Sequence, residues 1–409
     1  MTSVANSPDV LARSLSCPSC SAAVTRTLYR VPSIPVHSCI LLDSAEQARA
    51  FPRRDLELAW CEACGFIFNH IFDEALMGYS TNFEESQHFS GTFNGFARAL
   101  ARDAAEKCAI AGRRVLEIGC GKGEFLRELC SIGNAIGIGI DPGYRADQGR
   151  SGPTDKIEFI TDFFSEKYER LDADVIVCRH TLEHIAPVSG FVGSIRRMLG
   201  DREDSSVFFE TPDAKRVLFE GAFWDIYYEH CSYFSPGAHA RLFRRHGFDV
   251  TELSLLFDEQ YIIQYAKPVA RPSTVRFGLE EDLEEMHRLA AKFPEQVKQV
   301  QDSWRTRVHS AWKEGQRIVL WGGGSKGVSF VTTLGLTEEI AAAVDINPYK
   351  QGKYMPGSGH PVIAPKALVD EPPDLVIVMN PVYVPEIKSS LNEMGLMPEV
   401  VALTRVELG

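Results

Sequence analysis

Apolar positions along the chain fall into short runs parted by glycines, prolines and charges, and the spacing of those runs changes twice. Near the N-terminus, Leu56 to Trp60 and Phe66 to Phe68 read as short strands. In the middle, Val115, Leu116 and Ile118 form a strand that runs into Gly119, Gly121 and Gly123, and helical spacing begins at Glu124. Ala135 to Ile140, Ile157 to Ile160, Ala173 to Cys178 and Ser206 to Phe209 predict four further strands. Beyond Lys267, Leu279 to Trp312 predicts one long helix, with apolar residues at helical spacing among many charges. A strand over Arg317 to Trp321 then meets a second glycine-rich turn, and Ile340 to Val344 forms a strand ending at Asp345. The expected architecture is α/β: a small N-terminal module over residues 1–72, a Rossmann-like domain over 73–270, and a connector helix with a second Rossmann-like unit over 271–409.

The length of 409 residues fits two or three domains, and 44% hydrophobic with 24% charged residues is an ordinary globular mix. The run MTSVANSPDVLARS has no apolar signal core, and no apolar stretch approaches the ~20 residues of a membrane helix. A cytoplasmic protein without a membrane partner is therefore expected. A net charge of −12 opposes loose binding to phosphate backbones, so no nucleic-acid partner is expected. Oligomeric state is left open.

Ten cysteines in that setting read as metal ligands or buried thiols before disulfides. Cys17-Pro-Ser-Cys20 and Cys61-Glu-Ala-Cys64 are two C-x-x-C knuckles, and four thiolates close the shell of a tetrahedral, structural Zn²⁺. His37 and Cys39 lie inside the 40-residue gap as substitute ligands. Free thiols or a redox pair are the competing readings, but neither accounts for a knuckle that occurs twice.

In the middle domain, R-R-V-L-E-I-G-C-G-K-G-E-F places Glu117 just before a glycine turn whose backbone can approach a ligand closely. Asp141 follows 22 residues after Gly119, where a carboxylate can take the ribose hydroxyls of an adenosine. Asp162 and Phe163 close the next strand with an acceptor and an aromatic wall suited to adenine. A glycine turn alone would also suit a dinucleotide. Together with Leu182-Glu183-His184-Ile185, the set resembles class I methyltransferases that use S-adenosylmethionine. The resemblance implies that Glu117, Gly119, Gly121 and Gly123 hold the methionine end of that cofactor, and Asp141, Asp162 and Phe163 its adenosine.

After the fifth strand, Tyr227-Tyr228-Glu229-His230-Cys231-Ser232-Tyr233-Phe234-Ser235 crowds a base, a carboxylate and phenols together. An imidazole titrating near neutrality can remove an activated proton, and a neighbouring carboxylate can steady its charge. A structural aromatic loop is the plainer alternative. The order C-x-x-C, C-x-x-C-G, E-I-G-C-G-K-G, L-E-H-I, Y-x-E-H-x-x-Y-F-S is similar to that of the deoxysugar 3-C-methyltransferases, as in the tylosin, novobiocin and tetrocarcin sugars, over essentially the whole chain. That resemblance implies methylation of a small-molecule acceptor, a nucleotide-linked 4-keto-deoxysugar, at carbon 3 through an enolate. It also implies that His230 is the base and that His184, Tyr79, Tyr227 and Glu229 surround the sugar.

In the last unit, Gly322, Gly324 and Gly327 satisfy G-x-G-x-x-G, and Asp345 stands where a ribose-binding acid would in a dinucleotide site. The run VDINPYKQGKYMPGSGHPV instead resembles the C-terminal domain of the same C-methyltransferases, which implies an acceptor-nucleotide site with Lys326 and Lys350 as phosphate partners. The turn G-G-G-S-K-G departs from the family's usual G-A-P-A-K-G, which leaves the acceptor open. Three other classes compete: a methyltransferase of another small molecule, an RNA methyltransferase, and a nucleotide-sensing protein without catalysis.

Overall fold

The protein is described from a computed structural model, over residues 15–24, 26–40, 42–78, 83–145 and 156–404. Two open α/β sheets dominate it. The larger has seven strands in the order Phe248–Leu256, Tyr261–Pro268, Ser206–Pro212, Val175–Arg179, Arg114–Ile118, Ile136–Ile140 and Ile157–Ile160. The last five run parallel, while Tyr261–Pro268 is antiparallel to both of its neighbours. Strand order reverses between Arg114–Ile118 and Val175–Arg179, and ligands of open α/β sheets bind at the carboxyl ends of strands beside such a reversal.

The smaller sheet is fully parallel, with Ile318–Trp321 at its centre between Ala342–Val344 and Leu375–Val378, and with Val362–Ile363 and Glu399–Ala402 at its edges. It repeats the strand–turn–helix entry of the larger sheet: Arg114–Ile118 leads to the helix Glu124–Gly133, and Ile318–Trp321 to the helix Ser325–Leu334. The expected strands thus form, with ends shifted by one to three residues.

The N-terminal residues build an antiparallel sheet from Arg26–Pro35, Arg53–Trp60 and Ile67–Asn69. Its fourth strand, Ser232–Tyr233, comes from the stretch that carries the histidine cluster. The first 72 residues therefore do not close on themselves. Their sheet packs in one core with the helix Leu283–Lys313 and the C-terminal sheet. That helix buries Met286, Ala290, Phe293, Val297, Val300, Trp304, Val308 and Ala311, steps of three and four that keep one face inward. Large apolar groups from all three regions meet on this face, among them Trp60, Trp224, Trp304 and Phe330. Among the described residues no helix is long and apolar enough to cross a membrane.

Candidate active site and structural metal centre

The two knuckles share one backbone design. Cys17 N donates to Ala22 O and Ser21 N to Cys17 O, while Cys61 N donates to Phe66 O and Gly65 N to Cys61 O, all at 2.8–2.9 Å. The residue after each second cysteine is left-handed, Ser21 at φ 64° and Gly65 at φ 75°. This turn aims both sulfurs of a knuckle the same way. Sulfurs approach across the knuckles at 3.7 Å for Cys17–Cys64 and 3.6 Å for Cys20–Cys61. A tetrahedron with Zn–S bonds of about 2.3 Å has edges of about 3.8 Å, so the four thiols fit a structural Zn²⁺. His37 and Cys39 are placed elsewhere: Cys39 Sγ lies 3.2 Å from Ser325 Oγ, and His37 stands edge-on to Phe83. The helix Pro236–Arg245 grips both knuckles, with Arg241 Nε donating to Cys64 O and Arg245 Nη1 to Ser19 O. The metal centre is thereby fixed to the element that follows the histidine cluster.

Both glycine turns open into one cavity of about 850 Å³, beside the ends of the parallel strands of the two α/β sheets. On the donor side, Gly119, Gly121 and Gly123 have φ of 72°, 53° and 79°, in the left-handed region that favours glycine. A Cβ on Gly119 would lie within the Thr181 side chain. The helix Glu124–Gly133 has no side-chain cap at its start, so its first amides are left for a ligand or solvent. Asp141 accepts from Gly121 N at 2.9 Å and Gly143 N at 2.7 Å, and burial raises its carboxyl. Glu117 is buried on the cavity wall with Oε2 unpartnered among the described residues; burial, opposed by Arg179, pushes it up to about 8. Phe163 lines the cavity, but Asp162 turns away to Lys167 and Tyr168, which hold its carboxyl down at about 2.

Between the turns stands the histidine cluster. The His184 and His230 rings meet edge to face at 4.7 Å, and Tyr227 packs on His230 at 4.2 Å between centroids. His184 Nδ1 lies 3.0 Å from Glu229 O, and because a carbonyl only accepts, that nitrogen carries the proton. Burial first, then the positive charge of His184, His180 and Lys326, holds His230 well below the usual histidine range, which favours the neutral imidazole. Burial likewise lifts Glu229 to about 7, against the pull of Ser38. Tyr79 lies outside the described residues.

Three groups around this cluster carry little signal in the local sequence. Ser38, from the N-terminal region, donates to Glu229 Oε1 through its hydroxyl and, at 3.0 Å, through its backbone N–H. Its one hydroxyl proton goes to the carboxylate, so it accepts from Ser325 Oγ at 2.7 Å in the C-terminal turn. The third is a buried charge cluster behind the histidines. His180, left-handed at φ 47°, lies 3.3 Å from Glu210 and 3.6 Å from Glu183, while Arg179 pairs with Glu210. Burial disfavours both charges, yet the pairing lifts His180 to about 9 and brings Glu210 to about 2. A charged pair at the end of an apolar strand, Arg179-His180, is the sequence sign that marks this cluster.

At the C-terminal turn, Asp345 accepts from Gly323 N at 3.0 Å and Asn347 N at 2.9 Å, the arrangement Asp141 makes with its own turn. Lys350 lies 3.6 Å from Asp345; burial works against its charge, but Asp345 raises it overall. Lys326 crosses the cavity to pair with Asp225, and burial lowers it. Both lysines line the cavity, each beside a carboxylate.

The strand order and the donor turn define a class I, S-adenosylmethionine-dependent methyltransferase. Family models agree: a methyltransferase domain matches residues 91–253, and a C-methyltransferase C-terminal domain matches residues 271–396. C-methyltransferase NovU of Streptomyces niveus is 25% identical over 373 residues, which span 86% of this chain and 85% of that protein. A ubiquinone biosynthesis O-methyltransferase of Pseudomonas syringae pv. tomato is 32% identical over 114 residues, 26% of this chain and 47% of that one. Among solved structures, magnesium protoporphyrin IX methyltransferase of Synechocystis PCC 6803 covers 43% of this chain and 84% of its own at 14% identity, with a TM-score of 0.34. The chain is thus similar to C-methyltransferases over most of its length, in its two matched domains as in its order of motifs.

Proposed function

We propose that the enzyme methylates carbon 3 of a nucleotide-linked 4-keto-deoxysugar through an enolate. The observation that carries this reading is the placement of the buried His230, with His184 and Tyr227 against it, in the cavity that both glycine turns share. The cofactor supplies an electrophilic methyl group on a sulfonium. Glu117 and Asp141 bind and orient it, and the unpartnered oxygen of Glu117 suits its amino group. His230 takes the proton from carbon 3, which the adjacent ketone acidifies, and the electron pair moves onto the ketone oxygen. Carbon 3 then bonds to the methyl carbon as the carbon–sulfur bond breaks, and His230 returns its proton to solvent. Glu229, whose Oε2 is unpartnered among the described residues, offsets the transient charge on the imidazole. Tyr227 and His184 place a phenol and an imidazole beside the developing enolate oxygen. Lys326 and Lys350 take the nucleotide phosphates, exchanging their carboxylate partners for them.

Mass spectrometry of the protein incubated with S-adenosylmethionine and a panel of nucleotide-linked 4-keto sugars tests this reading. A single added methyl on carbon supports it. Methylation on oxygen or nitrogen, or none across the panel beside tight cofactor binding, contradicts it.

A further inference from the structure

Glu84 is fully buried and lies between the two glycine turns without belonging to either. Its backbone is set by the N-terminal region: Glu84 N donates to Cys39 O at 2.9 Å, and Phe83 bridges to Ile40. Its two carboxylate oxygens point opposite ways. Oε2 pairs with the Nζ of Lys122 in the donor turn, and Oε1 accepts from Asn347 Nδ2 at 2.9 Å. Asn347 N reaches Asp345, which in turn accepts from Gly323 N in the C-terminal turn. A continuous run of polar contacts therefore joins one turn to the other through a single carboxylate.

The residues that follow Glu84, up to Thr92, are also held by the C-terminal unit. Tyr383 donates to Gln87 at 2.8 Å, and Glu386 Oε2 accepts from Ser90 Oγ, Thr92 N and Thr92 Oγ1 at 2.6–3.0 Å where the helix Gly91–Lys107 begins. Burying a carboxylate and an ammonium is costly unless both are paired and hydrogen-bonded. The geometry of Lys122 is consequently tied to that of Asn347 through the carboxylate they share.

We propose that Glu84 is a positioning residue that couples the cofactor site to the acceptor site, so that filling one raises the affinity of the other. The idea rests on the reading of the C-terminal turn as the acceptor's nucleotide site. Coupling of this kind is reciprocal: whatever the cofactor does to the nucleotide's affinity, the nucleotide does to the cofactor's.

The test uses the full chain, S-adenosylhomocysteine as the cofactor probe, and thymidine or uridine diphosphate as the nucleotide probe. Calorimetry should show that a saturating nucleotide tightens S-adenosylhomocysteine binding about tenfold in the wild type and less than about threefold in Asn347→Ala. Hydrogen exchange gives a readout that needs no nucleotide: S-adenosylhomocysteine alone should slow amides 345–350 in the wild type but not in the variant. Glu84→Gln can satisfy only one of the two partners, and it carries the test should Asn347→Ala loosen residues 345–350 without ligand. Equal transmission in wild type and variants, or no slowing at 345–350 in the wild type, overturns the proposal. Slowing that is lost in the variants while neither nucleotide binds would uphold the coupling and defeat the acceptor reading.

Discussion

Removal of the Ser38 hydroxyl should make Glu229 harder to ionise. The carboxyl stands near 7 because burial raises it while the Ser38 hydroxyl and backbone N–H, both on Oε1, pull it down. Ser38→Ala deletes one of these donors and leaves the backbone N–H. A hydrogen bond to a charged group contributes about 1.5–3 kcal/mol. At about 1.4 kcal/mol per pKa unit, that loss lifts Glu229 by roughly one to two units, to about 8–9. The sign follows from the donors favouring the ionised form, so their loss favours the protonated one. Infrared difference spectroscopy reads this directly, with the protonated-carboxyl band of Glu229 assigned by its absence in Glu229→Gln. A band that titrates at the same pH in wild type and Ser38→Ala would refute the assignment of Ser38 as the group that poises Glu229.

Binding of S-adenosylhomocysteine should weaken about tenfold per pH unit below about 8, because a cationic amino group needs Glu117 ionised and burial holds that carboxyl at about 8; calorimetry from pH 6 to 9 should show the slope, and Glu117→Gln should flatten it. Gly119→Ala should cut S-adenosylhomocysteine affinity by more than tenfold, since its Cβ meets Thr181 at a left-handed φ that costs about 1–2 kcal/mol for other residues; unchanged calorimetric affinity would contradict the placement of the donor turn. Elemental analysis should find one zinc per chain, and Cys61→Ser should lower both the zinc content and the thermal midpoint, because the knuckles tie the N-terminal sheet to Arg241 and Arg245.

Much of this arrangement is legible in the chain because it is encoded locally. Each knuckle needs two cysteines three positions apart and a residue that tolerates the left-handed turn after them. Each of the two α/β sheets announces its first strand by an apolar run ending in glycines, and the helix at Glu124 begins where the spacing predicts. What escapes a reading along the chain depends on long-range contacts. Ser38 meets Glu229 across 191 positions, and Glu84 meets Asn347 across 263. The pairing of Ser232–Tyr233 with Ile67 and Phe68, which completes the N-terminal sheet, is equally invisible along the chain. Asp162 also depends on neighbours that the strand pattern does not announce: Lys167 and Tyr168 both donate to its carboxylate.

Proton exchange at carbon 3 tests the central claim most directly. The protein, saturated with S-adenosylhomocysteine so that no methyl can transfer, is incubated in deuterated water with a nucleotide-linked 4-keto-6-deoxysugar, and the carbon-3 proton is followed by NMR. The account predicts loss of that signal with the wild type and its retention with His230→Ala. Exchange at the same rate in His230→Ala, or none with the wild type under conditions where the sugar is bound, would contradict it.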